Sequence, residues 1–128
     1  MKKIIFAGMF GLLLTGCSGG EQKDLAAEAA RTFYDSLLSG GYEHFVDGFD
    51  RRDSIPLSYR SQLVTNAKQY VSGLKEKHGA VEAVRIVRSK RDSVAGTTNV
   101  FLMLCFSDSL KEEIVVRMTE KEGVWKMK

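Results

Sequence analysis

Apolar residues in the first half of the chain recur every three or four positions, the spacing of one face of an α-helix. Three segments show it: residues 24–38, a short segment from residue 42, and residues 57–78 after the chain's single proline. The pattern therefore predicts three amphipathic helices, separated by Gly40-Gly41 and by a charged loop. The apolar positions of the first helix are Leu25, Ala26, Ala29, Ala30, Phe33, Leu37 and Leu38. Those of the third helix are Tyr59, Leu63, Ala67, Tyr70, Val71 and Leu74.

After Gly79 the repeat shortens to about two residues, the period of a β-strand. Four strands are predicted over residues 81–91, 98–107, 110–120 and 124–128, and the short turns between them predict an antiparallel meander. The second strand is apolar on both faces, which is typical of a strand in the middle of a covered sheet. Helices followed by strands predict an α+β fold, with three N-terminal helices packed on a curved four-stranded antiparallel sheet.

The first residues of the chain are predicted to form a targeting signal. Lys2 and Lys3 precede an apolar run of eleven residues, 4–14, which as a helix of about 16 Å is too short for a hydrocarbon core of about 30 Å. A secretory signal peptide fits this pattern. The run ends in Leu14-Thr15-Gly16-Cys17, which resembles the bacterial lipobox. That resemblance implies cleavage before Cys17 and attachment of diacylglycerol to its sulfur, with a further acyl chain such as palmitate in many bacteria.

Three regions follow: a signal peptide over 1–16, a lipidated cysteine and tether over 17–23, and one domain over 24–128. We therefore expect a lipid-anchored protein of the bacterial cell envelope, in the outer membrane. The sequence does not decide whether the domain lies on the periplasmic or on the surface side. Its expected partner is the membrane, through the lipid on Cys17.

Charge and residue spacing exclude several classes of protein. The chain has 19 basic and 16 acidic residues, and two of the basic ones, Lys2 and Lys3, belong to the signal. No basic stripe with interleaved aromatic residues is present, so no nucleic-acid partner is expected. His44 and His78 are far apart and no Cys-x-x-Cys pair occurs, so no metal and no cofactor are expected. Once Cys17 is lipidated, Cys105 is the only thiol, and no internal disulfide can form.

The order of elements resembles the nuclear-transport-factor-2-like (cystatin-like) superfamily and, within it, a bacterial lipoprotein family of unknown function. The residues that carry the resemblance are Phe33-Tyr34, Leu37-Leu38, Gly41-Tyr42, Gly79, the hairpin over 92–98 and Gly123-Val124-Trp125-Lys126. The resemblance implies a cone-shaped cup, with the sheet curved around the first helix. Enzymes of this superfamily place an Asp, His or Tyr inside that cup.

Five side chains are candidates for lining such a cup. Tyr34, Tyr59 and Tyr70 lie on helices and can bury their rings while offering a hydroxyl to a ligand. Arg85 and Arg117 lie on predicted strands and could meet a carboxylate. The charged loop 50–54 is expected at the rim. No carboxylate falls on the apolar face of any predicted helix, which argues against an isomerase or cyclase, and we predict no catalytic residue.

The sequence therefore favours a non-catalytic binding or assembly module. Assembly would use the second apolar face of the sheet, as a homodimer or with another envelope protein. The alternative is a small-molecule binding protein, or an isomerase- or cyclase-type enzyme, that uses the cup. A cup filled by apolar side chains would argue against that alternative, whereas an open one lined by tyrosines and an arginine would favour ligand binding over assembly.

Overall fold

The computed structural model describes residues 24–51 and 53–128 and has the predicted α+β architecture. The helices are α1 (Leu25–Leu38), α2 (Tyr42–Asp47) and α3 (Leu57–His78). The strands are β1 (Val81–Asp92), β2 (Thr97–Phe106), β3 (Lys111–Lys121) and β4 (Val124–Met127). They form one antiparallel sheet in the order β1-β2-β3-β4. The predicted three helices and four-stranded meander are confirmed. The predicted signal peptide, the tether and Cys17 lie outside the described residues.

Helix α1 lies on the sheet through small side chains. Asp24 caps the helix, accepting a hydrogen bond of 3.1 Å from the Ala27 amide. Ala26, Ala27 and Ala30 are buried and let the helix approach all four strands closely. Beneath them lies the inner face of the sheet, with the buried residues Val100, Leu102, Val116, Met118 and Met127. The space between the first half of α1 and the sheet is therefore filled.

The central strand β2 has two faces of different character. Its inner residues Val100, Leu102 and Leu104 have no exposed surface. Phe101, Met103 and Cys105 point to the outer face and are half-buried. Both faces of β2 are apolar in the sequence. Among the described residues, helices cover only the inner face.

The second half of α1 faces the other helices. Leu37 packs with Ala67 and Val71 of α3, and α2 contacts both longer helices. Near its end α3 reaches the sheet, where Leu74 packs with Leu104 and Phe106. Within the described residues, no helix is long and apolar enough to cross a membrane.

The two edges of the sheet differ. Strand β4 is flanked by the segment after α2: the Asp50 amide donates to the Met127 carbonyl at 2.6 Å, and the Met127 amide donates to the Gly48 carbonyl at 2.7 Å. Strand β1 is an edge strand with two register irregularities, at Val81/Ala83 and Ile86/Arg88. Bulges of this kind disturb the edge that another strand would pair with.

Candidate ligand-binding cavity

A cavity of about 360 Å³, which we call the helical cavity, opens between α1, α2 and α3. Tyr34 and Leu37 contribute the wall from α1, on the same apolar face whose earlier alanines contact the sheet. Opposite them lie four residues of α3, and the wall is completed by α2 and the loop that follows it. The lining residues are Tyr34, Leu37, Phe45, Val46, Phe49, Arg51, Leu63, Asn66, Ala67 and Tyr70.

Three aromatic rings give this cavity a rigid apolar side. Tyr34 meets Phe45 edge to face, with ring centroids 5.2 Å apart and an interplanar angle of 83°. Phe45 meets Phe49 in the same way, at 5.4 Å and 87°. Edge-to-face pairs are the favoured geometry for such rings and add to their burial energy. The rings therefore hold a defined surface against which an apolar group can pack.

Two tyrosine hydroxyls supply polar groups. Burial raises the pKa of Tyr34 to about 12, and the neighbouring Tyr70 adds to this rise. Burial, followed by the charge of Glu112, also raises the pKa of Tyr70. Both phenols therefore keep their proton at neutral pH and can donate hydrogen bonds.

Arg51 brings a positive charge to the wall of the cavity. Its Nη1 donates to the Val46 carbonyl at 2.8 Å, and its Cζ lies 5.6 Å from the centroid of the Phe49 ring. A guanidinium has five N–H donors, so this carbonyl leaves others for a ligand. Arg51 also lines a second, more polar cavity of about 410 Å³ next to the first. It thus stands at the boundary of the two.

The second, more polar cavity is surrounded largely by side chains that form ion pairs with one another. Arg60 donates two hydrogen bonds to the Asp47 carboxylate, at 2.9 and 2.8 Å, and they lower the pKa of that carboxyl. Lys126 Nζ donates to the Asp47 carbonyl at 3.1 Å. Asp50 pairs with Lys121 at 3.1 Å. These charges are largely committed to one another, whereas the helical cavity presents Arg51 beside an apolar wall.

The structure separates the five side chains that the sequence singles out. Tyr34 and Tyr70 come together in the helical cavity. Tyr59, one helical turn before Leu63, is 51% exposed and does not line it. Arg85 and Arg117 are exposed on the outer face of the sheet, where their register partners are Met103 and Asn99. Side chains alternate along a strand, and the apolar neighbours of both arginines occupy the inner face.

The histidines and the described cysteine lie outside the helical cavity. His44 is exposed, with Nδ1 3.0 Å from Ser36 Oγ. His78 stacks on Phe106 and has Nδ1 3.1 Å from Asp108 Oδ2. The Leu110 amide, and after it His78, lower the pKa of the Asp108 carboxyl. Among residues 24–51 and 53–128, no three His, Cys, Asp or Glu side chains form a metal-binding group.

The outer face of the sheet is partly covered by arginine. The Arg88 guanidinium lies over the Phe101 ring, 4.0 Å from its centroid, and its Nη1 is 4.0 Å from Glu113 Oε2. Val87 and Val115 remain exposed there. Long charged side chains thus shield part of the apolar stripe, and self-association through this face stays a prediction.

Comparison with known proteins bears on the fold. No family model and no curated protein matches the chain. The chain is similar to a Campylobacter jejuni crystal structure that is named, provisionally, an "NTF2-like transpeptidase". The TM-score is 0.61 at 14% identity, and the match covers 78% of this chain and 94% of the Campylobacter chain. A SEC-C motif containing protein from Rhodopseudomonas palustris gives a TM-score of 0.49 and 11% identity, over 77% and 71% of the two chains. At such identities the likeness concerns architecture alone, and by the first of these similarities the chain has a nuclear-transport-factor-2-like fold.

Proposed function

We propose that this chain is a lipid-anchored envelope protein whose domain binds a small apolar molecule carrying an anionic group, without catalysis. The helical cavity is the observation that carries the binding part of the proposal. Its volume of about 360 Å³ lies in the range of small-molecule sites, about 300–1,000 Å³. Most of its wall is apolar, and a few polar groups are placed to orient a ligand.

The polar groups of the cavity favour a ligand that accepts hydrogen bonds. Tyr34 and Tyr70 offer neutral hydroxyls, and Arg51 offers a permanent positive charge. No carboxylate is among the lining residues that the structure describes, and Glu112 acts on Tyr70 from outside this lining. The lining itself therefore offers a positive charge and no negative one. In a ligand with a carboxylate, sulfonate or phosphate on an aromatic or aliphatic body, the anionic group would accept hydrogen bonds from these donors. The apolar body would pack against the apolar wall.

The same wall argues against turnover at neutral pH. General acid–base catalysis is most effective with a group that titrates near the working pH. The described lining has no Asp, Glu or His, and the pKa values of its two tyrosines are raised further from neutrality. It also has no Ser, Cys or Lys to serve as a nucleophile. The term transpeptidase describes the Campylobacter protein, and we do not extend that activity to this chain.

A fluorescent probe tests the cavity. The aromatic sulfonate 1-anilinonaphthalene-8-sulfonate should bind residues 18–128 with a rise in fluorescence. Replacing Arg51 by Gln removes the charge and should weaken binding about 10- to 100-fold, the range expected for a hydrogen bond to a charged group. Ala67→Leu narrows the cavity and should also reduce binding, because the buried Ala67 forms part of the wall.

The matched control is Arg31→Gln. Arg31 lies on α1, pairs with Glu28 at 3.3 Å and does not line the cavity, so its loss should leave the affinity unchanged. Equal affinities for the wild type, Arg51→Gln and Ala67→Leu would contradict the proposed site.

The lipid anchor rests on the sequence Leu14-Thr15-Gly16-Cys17. Bacteria that express the full chain and are fed an alkyne analogue of palmitate should label the wild-type protein. Cys17→Ser should lose the label and leave the membrane fraction, because the acylated sulfur is absent. Cys105→Ser is the control and should stay labelled and membrane-bound. A Cys17→Ser protein that keeps its label would contradict the anchor.

A further inference from the structure

The position of Asp24 shows where the tether enters the domain. One carboxylate oxygen of Asp24 accepts from the Ala27 amide at the start of α1, and the other accepts from the Ser89 hydroxyl of β1. These two contacts hold the first residue of the domain beside the last part of β1. The β1–β2 hairpin, whose turn spans residues 93–96, therefore lies at the tether end of the domain.

The tether is short compared with the domain. Residues 18–23 can extend to about 20 Å. The ten residues of β2 span about 33 Å from the β1–β2 hairpin to the opposite hairpin at residues 107–110. If Cys17 is embedded in the bilayer, the end that carries Asp24 is the end closest to the lipid head groups.

The surface of this end combines basic, acidic and apolar groups. The exposed Glu120 and Glu122 belong to the neighbouring β3–β4 hairpin, which lies at the same end because Thr98 pairs with Met118. The basic groups belong to the β1–β2 hairpin. Lys90 and Arg91 line a surface cavity of about 380 Å³ together with Asp92, Ser93 and Asn99. The Asp92 carboxylate accepts a hydrogen bond of 3.1 Å from the Ala95 amide within the turn. Val94, at the tip of the hairpin, is 98% exposed. Leu25, next to Asp24, is 58% exposed.

An apolar tip beside two cations suits the boundary between water and an anionic bilayer. The cations meet lipid phosphates, and the apolar side chain enters the head-group region. Basic residues alone do not select this end, because Lys75 and Lys77 lie near the opposite one. The short tether selects it.

We propose that the β1–β2 hairpin docks on the anionic surface of the membrane that holds the lipid anchor, with Lys90 and Arg91 on head-group phosphates and Val94 below them. This inference rests on the proposed anchor at Cys17, but not on the cavity ligand. It gives the domain a preferred orientation, in which the opposite hairpin points away from the bilayer.

An environment-sensitive label tests the docking. The full-length lipidated chain carries Cys105→Ala, so that one introduced cysteine takes a maleimide dye. The label is placed at Val94→Cys or, as the matched control, at Leu110→Cys, which is an exposed apolar position in the opposite hairpin. The protein is reconstituted into vesicles of phosphatidylcholine, with or without phosphatidylglycerol.

In anionic vesicles the dye at position 94 should shift its emission to the blue, and the dye at position 110 should not. Each basic residue near an anionic surface strengthens association about fivefold. Lys90→Glu with Arg91→Glu should therefore lower the ratio of docked to undocked domains by about 25-fold or more and abolish the shift. Lys75→Glu with Lys77→Glu carries the same charge change at the opposite end and should leave the shift intact.

Contrary results would distinguish a failure of the docking from a failure of the lipid anchor. Equal emission at positions 94 and 110, or a shift that survives Lys90→Glu/Arg91→Glu, overturns the docking while the anchor stands. A wild-type chain that fails to float with the vesicles overturns the anchor, and the docking with it. Neither result concerns probe binding in the helical cavity, which is measured on the unlipidated domain.

Discussion

Leu102→Ala should lower the free energy of unfolding by about 2–5 kcal/mol, the range for truncating a fully buried leucine. Leu102 has no exposed surface and lies in the central strand, among the core residues beneath α1. Hydrogen bonds to strands on both sides keep β2 from closing the space. A domain of this size is stable by only about 5–15 kcal/mol, so the loss is a large share of the total.

Urea unfolding of residues 18–128, followed by circular dichroism, measures this loss. Leu110→Ala removes the same atoms from a side chain that is 56% exposed, and it should change stability by at most about 0.5 kcal/mol. Equal effects at the two leucines would show that the inner face of β2 is not the core.

Gly48→Ala should cost about 1–3 kcal/mol, the usual penalty for forcing an extra carbon into a packed site. A Cβ at Gly48 would lie 2.4 Å from Cε1 and 2.7 Å from Cδ1 of Phe33. Gly48 has a φ of −79°, which any residue adopts, so the penalty arises from contact and not from backbone strain. Phe33 is half-buried, packs against the core and has its ring 5.3 Å from the His44 ring, so a shift of the Phe33 side chain would disturb these contacts.

Two further variants separate this cause from a general effect of alanine. Gly73→Ala places a Cβ within α3 where nothing besides the adjoining helix backbone lies within 4 Å, and it should stabilise the protein by about 0.5–1 kcal/mol through helix propensity. In a Phe33→Leu background, Gly48→Ala should cost less than in the wild type, because the smaller side chain leaves space. An unchanged cost in that background would rule out the Phe33 ring as its source.

The fold follows closely from local signals in the sequence. Pro56 precedes α3 and Gly79 follows it, so the predicted ends of this helix, Leu57 and His78, agree with the structure. Gly79 has a φ of +80°, a conformation that favours glycine and ends the helix. Periodicity changes from helical to alternating at the same residue.

The cavity could be predicted only in part. Tyr34 and Tyr70 belong to apolar helix faces, which is a local property and visible in the sequence. Arg51 and Asn66 reach the cavity through the loop after α2 and the packing of α3 on α2, which no local pattern encodes. Arg85 and Arg117 differ in this respect: each lies between two apolar residues that face the core, Val84 and Ile86 or Val116 and Met118. Alternation along a strand therefore already favours the outer face for both arginines.

The continuous apolar face of α1 has a thermodynamic consequence. Its first half lies on the sheet and its second half walls the helical cavity, while Tyr34 and Phe45 contact both groups of core residues. Any occupant of the cavity that binds only the folded chain therefore adds its free energy of binding to that of folding. The melting temperature of the whole domain would then report occupancy, even though the sheet never touches the occupant.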